Sequence, residues 1–206
     1  MNYSSSILEV NLKNLIHNYK VFKKFIKNKQ VAATIKANAY GIGDKIAFSI
    51  LYKNGCRHFF LATLKEGLEL RKSFKKGHIY ILNGLENNDI NIFKINKLIP
   101  ILNSKVEIKV IEKTELKFGI HIDTGLNRLG INKIDLPKKI YNKKNLQIVL
   151  SHLASSDEKK NLYNYFQNKK FKSINNLFKN KKIIFSLAGS MGTILGRDFH
   201  YDLVRP

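Results

Sequence analysis

The chain has 206 residues, 44% of them apolar, and a net charge of +22. This length predicts one domain spanning 1–206 with a sizeable core, and the apolar share excludes a disordered chain. The charge is carried by 32 lysines against five arginines, strewn over KVFKKFIKNK, KSFKKG and NKKFKSINNLFKNKK without an RRM, KH or helix-turn-helix pattern, so it reads as solvated helix faces and nucleic acid is not an expected partner.

Taken in chain order, the opening MNYSSSILEV has no basic segment followed by an apolar one, so no secretory leader is predicted. ILEVNL (7–12) reads as a strand without an evident partner, followed by a helix over 12–25. Eight short apolar runs then recur as strands: VAATIKA (31–37), HFFLAT (58–63), HIYILNG (78–84), LIPILN (98–103), FGIHIDT (118–124), LQIVLSHL (146–153), IIFSLAG (183–189) and FHYDLVR (199–205). Between them DKIAFSILYKNG, LKEGLELRKSF and NLYNYFQNKKFKSINNLF have helical length and period. No run approaches the ~18 apolar residues of a membrane helix, so no membrane is expected as partner. Cys56 stands alone, which forbids an intramolecular disulfide and points to the cytoplasm.

Strands alternating with helical segments predict βαβ units and a parallel sheet, and near-continuous apolar strands fit burial on both faces. Eight of them predict an α/β fold of the (β/α)8 TIM barrel type, incomplete at its C-terminal end. The alternative, a doubly wound sheet, lacks a GxGxxG after its first strand. In such a barrel the C-terminal ends of the strands carry the chemistry. Lys36, the segment His121–Arg128, His152, Ser190 and Arg205 all fall there. A lysine at the mouth of an apolar strand, partly desolvated and near other cations, is primed to attack carbonyls, pyridoxal phosphate among them. Tyr40 and the turn at Ser190 offer donors for a phosphate, and an arginine suits a pyridine nitrogen.

TIKANAYGIG (34–43) resembles the cofactor-lysine motif of the alanine racemase family, fold-type III enzymes that use pyridoxal 5′-phosphate. LATLKEGLELR (61–71), HIDTGLNRLG (121–130), SHLASSDE (151–158), LAGSMGTIL (187–195) and YDLVRP (201–206) are similar to further blocks of that family, in its order. The resemblance implies that Lys36 carries the cofactor and is the base on the D-alanine face. It implies that Tyr40 and Ser190 bind the phosphate, that His152 packs beside the pyridine ring, and that Arg205 donates to the pyridine nitrogen, which favours two-base proton exchange over transamination. Arg128 is implied at the cofactor's phenolic oxygen and the substrate carboxylate. The family's activity is racemisation of L- and D-alanine, supplying D-alanine for peptidoglycan, in a homodimer; no metal is expected. The chain departs from the family at Ile42, where histidine is common, at His121, where many members have a carboxylated lysine, and at Gly189, where the motif has asparagine. The family's C-terminal β-domain, with the second base, is expected to lie outside these 206 residues, so the chain alone is expected to be weak or inactive. A stand-alone cofactor-binding barrel or a decayed fragment is the alternative.

Overall fold

The computed structural model describes residues 6–178 and 182–206. The (β/α)8 expectation holds. The first barrel strand is made of two short runs, Gln30–Val31 and Ala33–Thr34, and the next seven are His58–Leu61, His78–Ile81, Leu98–Leu102, Phe118–His121, Leu146–Leu150, Ile184–Ser186 and Leu203–Val204. Every neighbouring pair is parallel, in sequence order. The first strand is split because it serves two partners. Gln30 and Val31 register with Leu203 and Val204, and Ala33 and Thr34 with Phe59 and Phe60. The seventh and eighth strands meet through a parallel bridge between Gly189 and Arg205.

The continuous apolar strands are explained by two cores. Inside the ring lie Ala32, Phe60, Tyr80, Ile99, Ile101, Ile148, Leu150 and Leu203. Phe59, Ile79, Ile81, Leu102 and Val149 face outward into a larger layer beneath the helices. Adjacent residues such as Phe59 and Phe60 are both fully buried, on opposite faces.

The outer layer is less regular than the ring. Helices Leu12–Ile26, Asp44–Lys53, Leu64–Ser73, Ile90–Ile95, Lys105–Ile111 and Leu162–Asn175 cover it. After the fifth strand only 3-10 turns, Lys133–Asp135 and Lys138–Asn142, replace a helix. Two expectations are corrected. Residues 6–11 form no strand, and Ile7 and Leu8 are exposed. A β-branched run gains strand structure only from a neighbour to pair with, and the ring has no free edge there. The first strand also stops at Thr34 rather than continuing to residue 37, for a reason found in the site.

Candidate active site

A cavity of about 300 Å³ opens at the C-terminal ends of the strands. Lys36, Tyr40, His121, Arg128, His152, Ser190 and Arg205 all line it, with Thr34, Phe60, Leu82 and Leu150 as walls. Every site residue expected from the sequence is therefore brought to one place.

Lys36 begins a turn of unusual hand. Ala37, Asn38, Ala39 and Tyr40 have φ of 51, 54, 53 and 54°, a left-handed helical turn costing roughly 1–2 kcal/mol per residue for L-amino acids. Asn38 tolerates this region and the two alanines carry only a methyl group, whereas Tyr40 takes the same φ as a bulky residue. The turn is closed by Ala39 N–H to Ile35 O at 2.9 Å and Gly43 N–H to Asn38 O at 2.9 Å, while the Asn38 side chain caps Asp44 N–H at 3.0 Å. The strand ends at Thr34, the backbone leaves the extended region at Ile35 (φ −119°, ψ 24°), and Lys36 lines the cavity with its Nζ 6.0 Å from the centre of the Tyr40 ring. Tyr40 is exposed, and Arg128 lies near enough to oppose the upward push of burial on its phenol.

Arg205 is the most buried charge of the site. Its guanidinium donates to Ser186 Oγ and to the carbonyls of Ser151 and Leu187, and lies 5.7 Å from the Phe60 ring centre. No ion pair joins it among the described residues, and burial pulls its pKa down to about 10. Ser151 is held in turn by Thr124 at 2.8 Å, and Gln167 donates to both Thr124 Oγ1 and His152 O. This buried polar network fixes the segment that presents His152.

Two imidazoles stand among these cations. Burial, then Arg205, Arg128 and Lys36, lower His152 to about 4. Burial, then Arg205 and His152, lower His121 to about 3. Both are neutral at pH 7. The tautomer of His121 follows from its neighbour. Asn103 uses its amide hydrogens on Leu82 O at 2.8 Å and Ile101 O at 2.9 Å, so its oxygen faces His121 Nδ1 at 3.2 Å. Nδ1 therefore carries the proton, and Nε2 keeps a lone pair. His121 thus lines the cavity as a neutral group.

Two supporting residues escaped the sequence reading. Glu66 accepts Ala37 N–H at 2.7 Å from the loop after the first strand, and Asn103 orients His121. The T-x-x-E spacing of Thr63 and Glu66 was the available signal, since it marks a helix capping box.

The sequence profile of the alanine racemase N-terminal domain matches residues 10–206. The chain belongs to this family. It is 37% identical over 212 residues to the alanine racemase of Rickettsia prowazekii (strain Madrid E), an alignment covering 97% of this chain and 52% of that protein. It is 38% identical to that of Rickettsia typhi (strain ATCC VR-144 / Wilmington), with the same coverage. The chain thus spans about half the length of these relatives. The crystal structure of the Bartonella henselae alanine racemase, which contains covalently bound pyridoxal phosphate, superposes with a TM-score of 0.86 at 32% identity, over 96% of this chain and 60% of that one.

Proposed function

We propose that this domain is the cofactor-holding half of an alanine racemase, with pyridoxal phosphate at Lys36. The observation carrying the reading is the convergence of Lys36, Tyr40, Arg128, His152, Ser190 and Arg205 on one cavity. The donor set fits that group: an amine at the mouth, two hydroxyls for phosphate oxygens, and a buried guanidinium that donates to the neutral oxygens of Ser186, Ser151 and Leu187. When bound, the cofactor supplies an aldehyde that condenses with an amine and a conjugated ring that makes the substrate's α-proton removable.

Each residue then has a task. Lys36 holds the cofactor and moves the α-proton on the face D-alanine presents. Tyr40 and Ser190 donate to the phosphate. Arg205 can only donate, so it leaves the pyridine nitrogen unprotonated and limits how far charge drains into the ring, which favours returning the proton to the α-carbon. His152, neutral, packs against the ring without adding charge. Arg128, exposed at the rim, receives the substrate carboxylate. In this reading the 206 residues act as one domain, the second base comes from the part of the longer relatives that the match does not reach, and the complete protein is a cytoplasmic homodimer making D-alanine for peptidoglycan.

Two tests follow. Incubating the chain with pyridoxal phosphate, reducing with borohydride and mapping peptides should place the adduct on Lys36, and Lys36→Ala should remove it. An adduct scattered over surface lysines would sink the reading. With the cofactor loaded, the α-proton of D-alanine should exchange in D2O faster than that of L-alanine. Net racemisation should stay far below that of a full-length relative, because one base serves one face. Loading at Lys36 with no exchange of either enantiomer would favour a stand-alone cofactor-binding barrel.

A further inference from the structure

Glu66 does more than cap its own helix. Its Oε2 accepts the N–H groups of Ala62 at 2.7 Å and Thr63 at 3.0 Å, and Thr63 Oγ1 accepts Glu66 N–H at 3.2 Å, completing a capping box at the start of Leu64–Ser73. Its other oxygen reaches back one strand to Ala37 N–H at 2.7 Å. Ala37 follows Lys36 directly and opens the left-handed turn. On the other side of Lys36, Ile35 N–H is tied to Phe60 O of the second strand at 2.9 Å. The backbone is therefore pinned on both sides of the lysine, once by a strand and once by a carboxylate.

The same device recurs two strands on, away from Lys36. Glu107 accepts Asn103 N–H at 2.7 Å and Ser104 Oγ–H at 2.9 Å through one oxygen, while Ser104 caps its helix by accepting Glu107 N–H at 3.3 Å. Its other oxygen reaches Leu85 N–H at 2.8 Å in the loop after the third strand. Each carboxylate thus joins a helix start to the preceding βα loop. Only at Glu66 does that loop carry a residue whose amine must be aimed.

We infer that Glu66 is a positioning residue for Lys36: its bond to Ala37 N–H holds the reversed turn that points the amine into the cavity. The inference rests on the cofactor reading above. The bond to be formed is the C=N between Lys36 Nζ and the cofactor aldehyde, with loss of one water; borohydride then delivers hydride to that carbon and fixes the link.

The test compares Glu66→Gln, Glu66→Asp, Thr63→Ala and Glu107→Gln. A glutamine oxygen can still serve Ala62 and Thr63, but its NH2 then meets Ala37 N–H, donor against donor. Aspartate, one methylene shorter, keeps the charge at the cap and loses the reach. Without cofactor, hydrogen–deuterium exchange of residues 36–43 should quicken in both Glu66 variants, whereas Glu107→Gln quickens the 83–88 segment instead. With pyridoxal phosphate, the rate of forming the fixed adduct at Lys36 should fall about tenfold or more in the Glu66 variants, the loss of one charge-assisted bond. It should stay near wild type in Thr63→Ala and Glu107→Gln, which weaken helix caps without removing the bond to Ala37 N–H. Unchanged exchange at 36–43, or an adduct rate in Glu66→Gln equal to that in Glu107→Gln, would overturn the inference alone. A wild-type chain that forms no adduct at Lys36 would overturn it together with the cofactor reading.

Discussion

Lowering the pH from 7 to 4 is expected to remove several kcal/mol of stability and to bring the protein to the edge of unfolding. Three imidazoles drive this: the buried His58, lowered to about 4 chiefly by burial and then by His78; the half-buried His152, to about 4; and the buried His121, to about 3. In the unfolded chain each titrates near 6.5. Below that value the unfolded state binds protons that the fold refuses, so stability rises with pH across this window. It is fully present above 6.5 and is lost as pH falls toward the folded values. Each displacement is worth on the order of 3 kcal/mol, and His121 and His152 repel each other on charging, so their costs are coupled. Against a typical total of about 5–15 kcal/mol the loss is large. Urea midpoints should be flat between pH 7 and 9 and fall steeply between 6.5 and 4. His121→Asn should shallow that slope, because asparagine carries no titrating proton. Midpoints that stay level down to pH 4 would show that the imidazoles are solvated rather than buried. The same burial serves the site, since neutral rings are the neighbours that Lys36, Arg128 and Arg205 tolerate at close range.

The ring of strands was legible because both faces of every strand are buried, which writes an unbroken apolar run into the sequence. Phe59 and Phe60 point opposite ways and are equally dry. The site was legible because chemistry in this architecture follows strand ends, so Lys36, His152, Ser190 and Arg205 could be placed on one rim before their contacts were known. What stayed hidden depends on partners distant in the chain. ILEVNL has strand composition, but strand structure needs a neighbour. The left-handed turn is braced by Glu66, twenty-nine positions away from Ala37. The neutrality of His121 is decided by burial and by an arginine eighty-four positions later, and its tautomer by Asn103. Local composition reports what a segment can do, and these choices are made across the barrel mouth.

Replacing Gly130 with alanine is expected to cost about 3 kcal/mol and to disable the substrate side of the site while sparing the cofactor side. Gly130 closes the loop that leaves the fifth strand at His121 and returns beside it, with Ile131 N–H on His121 O at 2.9 Å and Asp123 N–H on Ile131 O at 3.0 Å. Asp123 braces the loop from within by accepting Gly125 and Asn127 N–H, and the loop carries Arg128. At Gly130 φ is +108°, and a Cβ would lie 2.8 Å from Asp123 N, 3.1 Å from Ile122 C and 3.2 Å from His121 Cδ2. The first two are backbone atoms of the return itself, so no rotamer change relieves them. Strain at this φ adds roughly 1–3 kcal/mol and the overpacking a similar amount. Gly196→Ala separates the two causes, because Gly196 has φ +138° with nothing within 4 Å of the added carbon. It should lose only the conformational part. In Gly130→Ala the loop is pushed off the strand end and Arg128 with it, so exchange of the D-alanine α-proton should drop by about tenfold or more, the loss of one charged contact to a carboxylate. The borohydride-fixed adduct at Lys36 should persist, since the reversed turn is held from the other side by Glu66. If both glycine variants lose the same stability, the contact at Asp123 does not constrain the loop, and Arg128 owes its place to something other than this tight return.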